Sequence, residues 1–207
     1  MGHKFAEIAF TDSVKKVQEE QGSRSNYADW NQGADYHSTV GNEEADFIAE
    51  RDSFYMSSVS ETGWPYVQHR GGPPGFMRVI DESTIGFADY RGNRQYVSAG
   101  NFTSNDRVAL IFVDYPNRRR LKVLGNIRAV GNNEPELLEA IKVEGYRALV
   151  ERGFVITVKA FDWNCPQHIT PRFTRSQVDQ LMTPLVEEIQ ELKLKLALNE
   201  DAEEFSF

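Results

Sequence analysis

Two hydrophobic periods divide this chain. Alternating or continuously apolar runs fill its middle, and apolar positions at helical spacing mark its ends. Residues 11–21 (TDSVKKVQEEQ) predict a short helix opened by Thr11 or Asp12 and stopped at Gly22. Residues 22–42 are polar, with Tyr27, Trp30, Tyr36 and His37 among Gly, Asn and Ser, and predict an irregular wrapping segment. Asn42 is placed to cap a helix over 43–51 that turns Phe47 and Ile48 inward. Strands are predicted at 54–60, 66–70, 76–80 and 84–89, with turns at Glu61-Thr62-Gly63, Gly71–Gly75 and Asp81-Glu82-Ser83. Residues 93–106 have the composition of a short helix and a polar turn. The nearly continuous apolar run 107–115 predicts a buried strand, and the alternating run 118–130 a half-buried one. A helix over Glu134–Glu151 follows, weakened by Gly145, and then a strand at 154–163. At 176–198, Val178, Leu181, Met182, Leu185, Val186, Ile189 and Leu192 keep helical spacing, with Pro184 an early interruption, so the stripe predicts packing on the barrel or on a partner subunit. Residues 199–207 are expected to fray.

Short strands about ten residues apart, mostly joined by tight turns, predict a mainly β (α+β) fold: a six-stranded antiparallel barrel with peripheral helices. No strand–helix–strand series recurs, which disfavours a doubly wound parallel sheet. The expected organisation is an N-terminal helix and wrapping segment (1–42), the barrel (43–172), and a C-terminal helix with an acidic tail (173–207).

Composition narrows the function. No run approaches the roughly 20 apolar residues of a membrane span. The start, MGHKFAEIAF, lacks the apolar stretch of a secretory signal, and Cys165 is the one cysteine, so neither a disulfide framework nor a Cys-rich zinc site is expected. A cytoplasmic protein is the expectation. The 23 basic and 31 acidic residues leave a charge of −8. Residues 66–130 run against this, with ten Arg/Lys and five Asp/Glu, a local +5. A positive segment in an acidic chain predicts one small bound anion and argues against general nucleic-acid binding. Solvated strand-face arginines are the other reading of the same charges.

Glycine-rich dinucleotide turns, phosphate loops, His-Glu-x-x-His pairs and Gly-x-Ser-x-Gly elbows are all missing. Four histidines, His3, His37, His69 and His168, make a multi-histidine metal site thin. Gln68-His69-Arg70 ends a strand, where backbone N–H groups and a guanidinium can meet a ligand, or where a solvated arginine simply closes the strand. Arg91-Gly92-Asn93-Arg94-Gln95 stands where a strand turns into a helix, with Asn93 able to cap it; a helix start plus arginine is a phosphate seat. Arg118-Arg119-Arg120 and Lys122 lie at a hairpin, and at least one of these arginines is expected to be solvated. Trp163 to His168 forms a rigid strand end that fits a ligand-capping loop better than a Cys165–His168 thiolate pair, which lacks an orienting partner.

Four runs in order carry a resemblance. They are Gly63-Trp64-Pro65-Tyr66-Val67-Gln68-His69-Arg70-Gly71-Gly72, Ile85 through Gln95 (IGFADYRGNRQ), Asn105 through Phe112 (NDRVALIF), and Leu124 through Val130 (LGNIRAV). Together they resemble the pyridoxamine 5′-phosphate oxidase family. With Asn164-Cys165-Pro166-Gln167-His168-Ile169, the chain is similar to the flavin-nucleotide-binding subgroup of that family, over roughly residues 43–172. The resemblance implies a six-stranded split barrel that forms a homodimer and holds FMN at the subunit interface. It implies flavin contacts from Val67, Gln68, His69 and Arg70, and ribityl and phosphate contacts from Ala88, Asp89, Asn93, Arg94 and Gln95. Arg120, Leu121 and Lys122, with Trp163, Cys165, Gln167 and His168, would approach the ring. Oxidases acting on pyridoxamine phosphate end in a Trp- and Arg-containing segment closing on Leu-x-Pro; here an acidic amphipathic helix stands instead, so B6 oxidation is not expected and the small-molecule substrate is open. The leading expectation is a homodimeric FMN-dependent oxidoreductase without nucleic-acid or membrane partners. A flavin carrier or sensor with little turnover, or a haem- or deazaflavin-binding split barrel, is the alternative.

Overall fold

The computed structural model describes residues 2–31, 35–164 and 166–204, with side chains described except at 31, 164 and 197–204. It divides into two units: residues 1–114 with 119–167, and residues 115–118 with 168–207. No helix among the described residues is long and apolar enough to cross a membrane.

The first unit is built on one antiparallel sheet. Its strands are β1 (Ser53–Val59), β2 (Pro65–Gly71), β3 (Met77–Asp81), β4 (Thr84–Tyr90), β5 (Arg107–Asp114), β6 (Arg119–Val130) and β7 (Val150–Asn164). Seven strands, not the expected six, join in the order β2-β1-β5-β6-β7-β4-β3. Three hairpins use six of them, and the 15-residue β7 supplies the seventh by pairing with β6 on one side and β4 on the other. The sheet is open, with β2 and β3 as its edges. It is also strongly curled. Phe54 of β1 and Phe87 of β4 lie four strands apart in the order, about 19 Å if the sheet were flat. Their ring centroids are 5.3 Å apart.

The curl encloses an aromatic core. Phe54, Phe76, Phe87, Phe112 and Phe154 are fully buried, with Met56, Ile85, Leu121 and Ile156. The alternation of β5, in which Val108, Leu110 and Phe112 point inward, is what the pattern of a half-covered sheet requires. Phe87 fills the core, as its sequence environment predicts.

Helices cover the sheet. The first, α1 (Lys4–Ala9), was not expected, whereas α2 (Asp12–Glu20) follows its predicted cap: the Thr11 hydroxyl accepts the Val14 N–H at 3.4 Å. Residues 24–31 form a 3₁₀ stretch. In α3 (Asn42–Ala49) the cap is Gly41 and not Asn42, because the Glu44 carboxylate reaches back to the Gly41 N–H at 3.0 Å and draws the helix start one residue earlier. The next helix, α4, spans Val97–Ser104.

The predicted helix over 134–151 is cut short. Only Pro135–Ala140 is helical, as α5, and Val150 already belongs to β7. Ile141 is fully buried over two strand glycines: a Cβ on Gly153 would collide with its Cδ1, and one on Gly86 would lie 2.9 Å from its Cγ2. That anchor, and Gly145 at φ +74°, turn the chain back to the sheet. Residues 150–153 then pair with β4, and Gly153 also with Val130 of β6, backbone bonds that outweigh a modest helix preference.

The second unit contains α6 (Arg175–Glu204). Its apolar stripe, Val178, Leu181, Met182, Leu185, Val186, Ile189 and Leu192, runs along one helix.

Candidate functional site

An open cleft of about 250 Å³ lies where β2, the end of β4 and the start of α4 meet. Strand alternation selects its β2 residues. Tyr66, Gln68 and Arg70 line it, while the intervening Val67 and His69 point to the other face. There the His69 ring lies 5.4 Å from Tyr55, and Val67 borders an apolar recess with Phe5, Tyr55 and Lys122. The remaining wall comes from Asp89 and Tyr90, the loop residues Asn93, Arg94 and Gln95, the first turn of α4, and Glu151.

The loop before α4 is built unusually. Arg94 and Tyr96 both have left-handed backbones, φ 61° and 53°, a conformation that costs a non-glycine residue energy and concentrates at functional sites. Asn93 was expected to cap the helix. Its Oδ1 instead accepts the Gln95 N–H at 3.2 Å, two residues before the helix begins, because the helix starts at Val97 with Tyr96 as its cap. No side chain caps α4, so its first-turn N–H groups, carried by the cleft-lining Val97, Ser98 and Ala99, are available to an anion. Two hydrogen bonds fix this helix start: Ser98 Oγ to Gln68 Oε1 at 2.9 Å, and Asn101 Nδ2 to the buried Ser58 Oγ at 2.9 Å.

Charge around the cleft is organised in pairs. Asp89 is buried and receives Arg70 on one carboxylate oxygen and Arg152 at 3.4 Å on the other. Glu151 accepts from Arg91 Nε at 2.9 Å and from the Tyr96 hydroxyl at 3.1 Å, and these bonds hold its carboxyl below the usual range. Arg94 Nε donates to the same Tyr96 hydroxyl at 3.2 Å, which raises its already high pKa. Four arginines against two acids leave the cleft positive. Arg70 Nε is buried and has no hydrogen-bond partner. An uncapped helix start beside two guanidinium groups fits a phosphate-bearing ligand.

Six of the residues expected at the site therefore line one cleft: Gln68, Arg70, Asp89, Asn93, Arg94 and Gln95. Others stand elsewhere. Ala88 and Leu121 are buried in the core. Lys122 is held by Asp162 at 2.9 Å and lies over the Phe5 ring. Trp163 packs on Phe47 and donates to Glu44 Oε1 at 2.8 Å. Arg119 pairs with Glu43 and covers Trp163, while Arg120 is half-buried with an unpartnered Nε. Gln167 is exposed in a turn, His168 is exposed in the second unit, and Cys165 lies outside the described residues. Sequence reasoning missed Tyr96, Ser98 and Glu151. Glu151 was hidden in a segment with helical spacing; Ser98 had a signal, a hydroxyl two residues past an arginine-rich turn.

A second polar group gathers His3, His37 and Asp162, whose ligand-type atoms all lie within 4.8 Å of one another. His3 stacks on Trp30 at 4.1 Å and approaches Asp162 at 3.5 Å. The Lys122 ammonium pairs with that carboxylate at 2.9 Å, while the Nδ1 atoms of His3 and His37 are buried without a hydrogen-bond partner among the described residues.

The family model for pyridoxamine 5′-phosphate oxidase matches residues 41–160. No curated protein matches the chain. Among solved structures, a putative pyridoxamine 5′-phosphate oxidase from Lactobacillus delbrueckii is 19% identical with a TM-score of 0.46, covering 60% of this chain and 94% of its own. An FMN-binding protein from Syntrophomonas wolfei is 13% identical with a TM-score of 0.45, covering 74% and 96%. The haem storage protein HutZ from Vibrio cholerae is 13% identical with a TM-score of 0.40, covering 58% and 91%. Likeness at this level does not carry a ligand from one protein to another. The family match runs from the cap of α3 into β7 and takes in most of the sheet and the whole loop before α4; over more than half of its length, this chain belongs to the pyridoxamine 5′-phosphate oxidase family.

Proposed function

We propose that this protein binds FMN in the β2–β4–α4 cleft as a homodimer and acts as an oxidoreductase on a small molecule. The observation that supports this most directly is the convergence of Arg94, Arg70 and the uncapped start of α4 on one concave surface. Arg94 and the first-turn N–H groups hold the phosphate, and Gln68 and Ser98 orient the polar chain that follows. At about 250 Å³ the cleft is below the ~300–1,000 Å³ usual for ligand sites, in keeping with a second copy completing it. Bound FMN supplies hydride or electron transfer at its ring, with the protein positioning and polarising.

The test is an absorption spectrum of the purified protein, followed by FMN titration with flavin fluorescence as the readout. Two flavin bands, or saturable quenching by added FMN, support the reading. A sharp Soret band moves the protein to haem binding. Loss of neither colour nor fluorescence on mixing sinks the flavin reading. FMN binding with no reduction by NADH or NADPH favours a carrier or sensor.

A further inference from the structure

Helix α6 carries a second pattern that the flavin reading leaves unused. Val178, Met182, Leu185, Ile189, Leu192 and Leu196 follow one another at alternating steps of four and three residues. This is the seam spacing at which two helices wrap around each other. All six are 43–62% exposed, and no residue of their own unit among the described residues covers them. In heptad terms Met182, Ile189 and Leu196 take position a, and Val178, Leu185 and Leu192 take position d. A β-branched a residue between d leucines, as at Ile189, favours two parallel strands.

The flanking positions identify the occupant. In a parallel pair each g position faces the e position five residues further along the other helix. Leu181 then meets Val186, and Glu188 meets Lys193: apolar against apolar, acid against base. Among the described residues neither Glu188 nor Lys193 has an ion-pair partner within the chain, whereas the neighbouring Lys195 is held by Glu191 at 2.7 Å. Pro184 falls at position c, on the outer face, where its ring and missing N–H do not meet the partner. Leu194, at position f, and Leu198, at position c, are the leucines of the helix that the seam leaves out.

We infer that α6 pairs with α6 of a second copy of this chain as a parallel, in-register, two-stranded coiled coil. Three heptads make a short seam. The inference rests on the homodimer reading above for strength, since a contact that already joins two copies raises the effective concentration of the helices. Register and direction come from α6 alone.

The test uses the full chain with Cys165→Ser and a single new thiol, either Ile189→Cys in the seam or Glu187→Cys on the outer face. In-register pairing brings position 189 of the two copies side by side. Mild oxidation is then expected to link Ile189→Cys rapidly, and Glu187→Cys about tenfold more slowly or not at all. Adding Glu188→Lys is expected to slow the seam link, and adding Lys193→Glu as well to restore it. Equal rates at 187 and 189 overturn the coiled coil. A dimer by sedimentation that does not link at 189 also overturns it and leaves the homodimer standing. A monomer by sedimentation removes both.

Discussion

Arg70 and Asp89 form an ion pair between two strands that are not neighbours in the sheet: β2 is one edge, and β4 lies five strands away in the order. The pair spans the opening of the curled sheet, beside the cleft. Arg152 approaches the second oxygen of Asp89, so one buried carboxylate serves two guanidinium groups.

Asp89→Ala is expected to cost about 3 kcal/mol, near the low end for breaking a buried pair, since Arg70 keeps some access to water. The arginine left behind has no second acceptor for its buried Nε. Urea denaturation reads the effect. A change under about 0.5 kcal/mol, typical of surface sites, would mean that the pair does not tie the sheet edges together.

Two glycines are expected to respond in opposite directions. Gly125 sits at the register shift of β6, and a Cβ there would lie 2.6 Å from both Ile156 Cγ2 and the Thr157 carbonyl oxygen. Gly125→Ala is expected to destabilise by about 2 kcal/mol, because a backbone atom cannot move aside as a side-chain end can. Gly100, inside α4, has nothing within 4 Å of such a Cβ, so Gly100→Ala is expected to gain about 0.5–1 kcal/mol. Thermal melts of the two variants separate the effects by sign.

Arg94→Ala is expected to weaken FMN binding about 10- to 100-fold, the loss of a charge-assisted phosphate contact. Its side chain bonds only the exposed Tyr96 hydroxyl, so the melting temperature without ligand is expected to hold. Fluorescence titration gives the dissociation constant; an unchanged value places the phosphate elsewhere.

Stability is expected to fall as pH drops below about 6.5, the ordinary imidazole value. Burial is the largest influence on His3, followed by the nearby His37, and both lower its pKa, outweighing the Asp162 carboxylate. The folded state thus binds the proton less tightly than the unfolded chain. Its contribution is complete above pH 6.5 and is lost as pH falls toward the lowered folded value. Melting temperatures of the native chain and of His3→Asn from pH 7.5 to 5.5 check this. Parallel curves would assign the acid sensitivity to other groups.

Local pattern settled much of this protein. β-prone, apolar and alternating runs between turn signals located the seven strands to within a few residues, because these patterns are local. Thr11 and Gly22 bounded α2 through local hydrogen bonding and backbone freedom alone. The arginines that line the cleft, Arg70 and Arg94, were legible too, since charge next to a strand–helix turn is a short-range signal. Competition between distant segments was not legible. Residues 141–151 have helical spacing, yet Ile141 docks over Gly86 and Gly153, and the chain joins the sheet. Contacts made by long-range pairing were hidden as well: Arg70 meets Asp89 because the curl returns the edge strand β2 to β4, and Glu151 enters the cleft wall because β7 pairs alongside β4. Alternation told which side of a strand a residue faces. Only the curl of the open sheet decided what stands opposite it, which brings the end of β4 and the loop before α4 over Gln68 and Arg70.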